Sequence, residues 1–296
     1  MIKLSAVTKT FKKVRVLDSL DLSIGEHDRV ALVGSNGAGK TTLIRCLLGE
    51  YQHEGEVRLN GLDPRTDREA VLGQIGFVPQ LPPPLKMPVG DLVRFTSAMA
   101  SGDPRQVHAV AARLGLDLEP IARRPFIRLS GGQKQKLLIS IALGRDTGLL
   151  IMDEPAANLD PAARHEFFSL LAERKGGAMI ISSHRLDEVA SLVNRVVEMD
   201  RGRVVLDDKV EDALEMNGQL LAELTIGRPE IAFAKAMQEW SFRDLGEGLR
   251  WSGRLAGPDR LRFLGMLSRY AGLLTGVDMR LAETGETLDA PLRERA

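Results

Sequence analysis

The stretch Gly34-Ser35-Asn36-Gly37-Ala38-Gly39-Lys40-Thr41-Thr42 carries the clearest chemistry in the chain. It fits G-x-x-x-x-G-K-[ST], the spacing that turns successive backbone N–H groups toward one point ahead of a helix N-terminus. Lys40 then reaches phosphate oxygens as a point charge, and the Thr41 hydroxyl is placed to ligate Mg²⁺. A Gly-rich turn with a chance lysine would not need its flanks. Here Arg29–Val33 is an apolar, branched run that reads as a buried parallel strand, and Thr42–Leu48 reads as helix closed by Gly49. The spacing predicts a site for the phosphate chain of a nucleotide.

Other chemistry-bearing groups fall at element ends. Leu149-Leu-Ile-Met-Asp-Glu154 reads as an apolar strand delivering two acids, Asp153 and Glu154, where open α/β sheets place their sites. Alternation along an extended strand would send the two carboxylates to opposite faces and to different tasks. Ala178–Ser183 reads as another buried strand, with His184 at its end, and Ile75-Gly-Phe-Val-Pro-Gln80 as a third, ending on Gln80. Ser130-Gly131-Gly132-Gln133 precedes a helix over 134–143, with Ser130 as its cap and the glycines leaving backbone N–H groups open. Taken singly, the acids could be a solvated turn and the histidine a satisfied core residue; beside a phosphate loop, in-line attack gives each a use.

The elements that must hold these groups are readable in outline. Residues 1–33 alternate as strands and turns, with Phe11 among Lys9, Lys12 and Lys13; its ring suits either an adenine face or ordinary packing. Gly55–Gly61 reads as a hairpin strand ending in an Asn-Gly turn. Pro82, Pro83, Pro84 and Pro88 exclude a regular element and mark a boundary, after which 89–122 has helical spacing. Ala157–Asp160 and Pro161 lead into a helix over 162–173. Beyond 210, strands near 220–226, 249–255 and 277–281 alternate with helical runs at 229–240 and 258–274, a small α+β domain in which Trp240 and Trp251 read as core.

Composition bounds the rest. The chain has 296 residues, about two domains, and 44% of them are hydrophobic. Lys+Arg 40 against Asp+Glu 40 leaves no global excess of positive charge, so no nucleic-acid partner is expected. The single Cys46 excludes an intramolecular disulfide and reads as a buried hydrophobe. No stretch reaches the about 18 apolar residues of a spanning helix, and the N-terminal residues have no apolar leader core. A cytoplasmic chain is expected.

Together, these stretches resemble the ATPase subunit of an ATP-binding cassette (ABC) transporter over residues 1–210, with Leu129-Ser-Gly-Gly-Gln133 as the most specific motif. The resemblance implies an α/β P-loop NTPase core with a β-rich N-terminal subdomain, a helical insertion at about 82–145, and an accessory α+β domain at 211–296. It implies ATP and Mg²⁺ as ligands. Phe11 corresponds to the adenine-stacking aromatic, Gly34 to Thr42 to the Walker A loop, and Gln80 to a Mg²⁺ ligand beside the membrane partner. Asp153 corresponds to the carboxylate of the Mg²⁺ shell, Glu154 to the general base, and His184 to the group orienting the water. Ser130, Gly131, Gly132 and Gln133 would complete the site of an opposite subunit, and Asp160 belongs to the loop linking the two sites. The implied partners are a second, identical cassette and a separate membrane permease, which holds the chain at the cytoplasmic face of the inner membrane. Residues 211–296 are similar to the appendage of drug-exporter-like ATPases and of copper-supply ATPases for nitrous oxide reductase, including an acidic segment Glu286-Thr-Leu-Asp289; this favours export. The alternative within the wider family is a soluble ATPase of DNA repair, translation or Fe–S assembly. Repair members carry long insertions and translation members two fused cassettes, and this chain has neither.

Overall fold

The computed structural model describes residues 1–99, 102–174, 176–183, 186–209, 219–256 and 259–281. The chain divides into two compact units, Met1–Arg185 with Leu192–Asp208, and Leu186–Ser191 with Lys209–Ala296.

The first unit opens with β1 (Ile2–Phe11), β2 (Val14–Ile24) and β3 (Arg29–Val33). Next come helix α1 (Lys40–Leu47), β4 (Glu54–Leu59), α2 (Arg68–Gly73) and β5 (Ile75–Val78). The helical insertion holds α3 (Val89–Met99) and α4 (Pro104–Arg113), with α5 (Gly131–Leu143) after them. The unit continues with β6 (Leu149–Asp153), α6 (Pro161–Glu173) and β7 (Ala178–Ser182) and ends in β8 (Arg195–Asp200) and β9 (Arg203–Lys209); the short α7 (Leu186–Val189), between β7 and β8 in the chain, falls in the other unit.

Strands β2-β1-β4 make a three-stranded antiparallel sheet, and β5-β6-β7-β3-β8-β9 a six-stranded one. In the larger sheet β5, β6, β7, β3 and β8 run parallel. Their carboxyl ends therefore share one edge. Gly34, Gln80, Asp153 and Ser182 all emerge there, because a parallel sheet gathers its strand ends and the loops leaving them on one side. Every residue of β6 and β7 is buried, which explains their continuous apolar sequence. Leu43, Ile44 and Leu47 of α1 pack with Leu4, Leu20 and Val57 of the antiparallel sheet and Leu32, Ile151 and Ile180 of the parallel one, in one aliphatic core. Cys46 lies in that core, and burial pushes its thiol up to about 11. The insertion has a separate core, in which Val89, Val93, Val107 and Phe126 pack against Leu129, Leu137 and Ile141.

Two expectations are corrected. The strand over 149–154 stops at Asp153, since Glu154 takes a left-handed φ of 48° that no strand continues. The helix expected from 258 to 274 is shorter, and Leu274 starts a strand instead, after a turn over 269–273.

The second unit contains β10 (Gln219–Ile226), α8 (Ile231–Glu239), β11 (Arg243–Gly246), β12 (Arg250–Ala256), α9 (Arg260–Ser268) and β13 (Leu274–Leu281). Its sheet is antiparallel in the order β11-β12-β10-β13. Phe233, Met237, Phe242, Trp251, Phe263 and Leu267 form its core, with the Phe242 and Phe263 rings stacked at 4.7 Å. Trp251 is thus a core residue, and Trp240 packs edge-on against Phe263. Helix α7, though it lies between β7 and β8 in sequence, belongs to this unit: a Cβ on Gly265 of α9 would stand 2.7 Å from the Leu186 Cβ, so the glycine is what lets the two helices approach. The acidic segment 286–289 lies outside the described residues.

Candidate nucleotide site

Gly39 caps α1 with φ 107° and no side-chain cap, so the first-turn amides of Lys40, Thr41 and Thr42 have no partner inside the helix. They wall a cavity of ≈ 220 Å³ formed by the loop from Asn36 to Thr42 with Val16, Gln80 and Glu154. Gly34 and Ser35 lie behind this wall: the buried Lys40 Nζ donates to their carbonyls at 2.6 and 3.2 Å. Burial lowers the Lys40 pKa, while the facing Glu154 and Asp153 carboxylates pull the other way. A phosphate entering the cavity would offer this ammonium better acceptors than two peptide carbonyls.

The two acids face different spaces. Glu154 borders the phosphate-sized cavity, and Asp153 a larger cleft of ≈ 530 Å³. The left-handed turn at Glu154 produces this separation, rather than strand alternation. Thr41 and Gln80 line both spaces. Gln80 Nε2 donates to Glu154 Oε2 at 3.1 Å, and the Ser182 hydroxyl donates to Asp153 Oδ1 at 2.6 Å. The proposed metal set of Thr41, Gln80 and Asp153 supplies a hydroxyl, an amide and a carboxylate. Such all-oxygen donors fit Mg²⁺, which keeps waters and shares ligands with substrate phosphates. No cluster of three His, Cys, Asp or Glu side chains suited to a metal occurs among the described residues.

The remaining expected residues sit elsewhere. Phe11 does not line the phosphate cavity; its half-exposed ring meets Tyr51 edge-on at 5.2 Å, with the Lys9 ammonium 4.7 Å from its centroid. Ser130 and Gln133 form a capping box on α5, Ser130 Oγ accepting the Gln133 N–H at 3.2 Å and Gln133 Oε1 the Ser130 N–H at 3.1 Å. Gly131 is exposed and open, and Gly132 stands nearer Asn158. Asp160 caps α6 through the Ala163 N–H and pairs with Lys136 of α5 at 2.7 Å, so Lys136 first and the amide second hold its carboxyl below the ordinary 3.8. None of these lines the phosphate cavity. His184 lies outside the described residues. Sequence reasoning missed Val16, Ser182 and Gln135, whose buried amide donates to the Pro155 carbonyl at 2.9 Å. A hydroxyl closing the otherwise apolar strand Ala178–Ser182 was the available sign for Ser182.

A family model described as "ABC transporter" matches residues 17–157. The cobalt import ATP-binding protein CbiO of Syntrophus aciditrophicus is 32% identical over 248 residues, covering 81% of this chain and 86% of that one. The chain belongs to the ABC transporter ATPase family. The nickel import ATP-binding protein NikO of Rhodobacter capsulatus is 35% identical over 219 residues, 68% of this ABC ATPase and 86% of the relative. Among solved structures, a dimeric ATP-binding cassette in a post-hydrolysis state with ADP and Pi superposes with a TM-score of 0.62 at 25% identity, over 72% of this chain and all of that one. The P-loop core expected from the sequence is therefore the observed fold, and ATP hydrolysis is the activity of the family. No described helix is long and apolar enough to cross a membrane.

Proposed function

We propose that two identical copies of this ABC ATPase close on ATP and drive a separate integral-membrane permease from the cytoplasmic face of the inner membrane. The reading rests on Gln80, which borders both the phosphate cavity and the larger cleft and is hydrogen-bonded to Glu154. That cleft is walled by Phe77, Pro79, Leu81 and Pro82 to Pro84, with Leu81 76% exposed, a surface suited to an apolar permease segment. A partner seated there would touch the same glutamine that touches the base.

In this reading Lys40 and the α1 amides hold the β- and γ-phosphates, and Thr41, Asp153 and Gln80 hold Mg²⁺. Bound Mg²⁺ neutralises charge on the phosphate oxygens. Glu154 accepts the proton of the attacking water, and His184 orients that water. Phe11 swings its π face toward adenine, beside Val16. The α5 start of one copy, Ser130 to Gln133, faces the ATP held by the other, and Asp160 links the two sites.

Export is the direction we assign, on the sequence resemblance of residues 211–296 to the appendage of drug-exporter-like ATPases. The import names of CbiO and NikO favour the opposite direction, import. Vesicles of known orientation containing the chain and its permease separate the two. The dimer is tested by specific activity against protein concentration, with light scattering of Glu154→Gln and ATP in parallel. Activity independent of dilution in a chain that stays monomeric with ATP refutes it. Recovery from detergent-solubilised membranes with a ribosome, DNA or a soluble scaffold, and no permease, would replace transport by a soluble role.

A further inference from the structure

We infer that Ser182 is a positioning residue for hydrolysis, setting the metal-side carboxylate of Asp153 and the backbone of the base Glu154 through one hydroxyl. The inference rests on the roles proposed above for those two acids.

Asp153 and Ser182 are register partners on the adjacent parallel strands β6 and β7, so their side chains leave the sheet side by side. Ser182 is fully buried. Its Oγ donates to Asp153 Oδ1 at 2.6 Å and accepts the Glu154 N–H at 2.9 Å. The proton and one lone pair of the hydroxyl are thus both engaged with the acidic pair. The second contact matters because Glu154 is a non-glycine residue at φ 48°, a conformation that persists only where neighbours over-determine it. Its amide is anchored on Ser182, and its carbonyl accepts the Ala157 N–H at 3.3 Å. With the hydroxyl removed, the buried Asp153 carboxylate and the Glu154 N–H each lose a partner that water cannot replace at this depth. The carboxylate then rotates and the base's peptide relaxes toward the strand, while the α1 amides and Lys40, on other elements, keep their places. Substrate capture and the chemical step should therefore respond separately.

The test compares Ser182→Ala, Ser182→Thr and Glu154→Gln in the full-length chain. Partners behind a metal-side ligand commonly matter by about 10–100-fold, so Ser182→Ala is expected to lower kcat by about ten-fold or more while KM for ATP moves less than about two-fold. Ser182→Thr, which keeps the hydroxyl, should recover most of kcat. A readout independent of turnover is Mn²⁺ bound with ATP in the Glu154→Gln background, monitored by electron paramagnetic resonance: adding Ser182→Ala should weaken or reshape the metal signal with ATP retention unchanged. Wild-type kcat in a folded Ser182→Ala protein, or an unchanged Mn²⁺ signal in the double variant, overturns the inference. So does a Thr variant that folds as well as wild type but stays as slow as Ala. If Glu154→Gln itself turns over near the wild-type rate, the assignment of the base has failed, whatever Ser182 does.

Discussion

The chain contains two glycine-rich helix starts, α1 and α5, and they are finished in opposite ways. At α1 the capping residue is a left-handed glycine with no side chain to offer, and a buried ammonium waits on two loop carbonyls. At α5 the cap is Ser130, which with Gln133 closes a reciprocal box on its own backbone. A helix end left open inside a walled cavity is an anion site in its own right. One that is already capped and exposed is stable alone and gains from an anion only when something brings the anion to it. That asymmetry is what the proposed pairing of two copies requires, with α1 open toward its own chain's cavity and α5 finished on its own backbone.

Damage at the open end of α1 should cost the most. Lys40→Ala removes charge-assisted bonds worth about 1.5–3 kcal/mol each, so ATP binding to the single chain should weaken by about 10²-fold. A fluorescent ATP analogue measures this, and a shift below about three-fold would mean that the α1 amides suffice. Next is a paired substitution. A Cβ on Gly39 would stand 2.9 Å from the Val16 carbonyl at φ 107°, whereas one on Gly131 meets nothing. Gly39→Ala should cost about 1–3 kcal/mol of stability and ATP binding with it, while Gly131→Ala should leave both unchanged and impair only ATP-driven pairing. Equal effects of the two in thermal melts would dissolve the contrast.

Smaller still is Ser130→Ala, which opens the α5 box at a cost of about 1 kcal/mol, a melting shift of about 2–4 °C. Single-chain ATP affinity should not move, and if it does, α5 is serving its own chain's site. The smallest effect is a pH dependence behind α5. Asp160 is held below 3.8 in the folded chain, so its contribution is present above that value and is lost as pH falls through the lower, folded one. Asp160→Asn keeps a capping oxygen but loses the charge toward Lys136, and its small melting difference from wild type should shrink on acidification below 3.8 and not on alkalinisation.

Much of the cassette was readable because its strands are buried on both faces. Arg29–Val33, Leu149–Asp153 and Ala178–Ser182 are short, largely apolar runs, the last two ending on a polar side chain and the first leading into the Gly34 loop. The elements that escaped reading lack such contrast. Helix α2 buries only Val71, and β11 is exposed throughout. Strands β8 and β9 were also unread; β9 simply alternates half-buried and exposed side chains. The Glu154 conformation was hidden for another reason. A non-glycine left-handed turn is imposed by its neighbours, here a serine 28 residues away, and no local pattern encodes it. The orientation of Phe11 toward Tyr51 is similarly a matter of packing between β1 and the segment after α1.

Helix α7 has a consequence for anyone who would cut this molecule apart. Leu186 and Val189 are buried, α7 packs on α9, and α9 lies more than seventy residues further along the chain. The accessory unit is therefore threaded into the ATPase sequence rather than hung from its end. Stopping the chain at 208 strips α7 of its cover and leaves a greasy stub in the chain just after Ser182. A chimera that borrows the C-terminal unit from a relative must take residues 186–191 along with it. What looks in the sequence like a detachable tail is built from two separate pieces of chain.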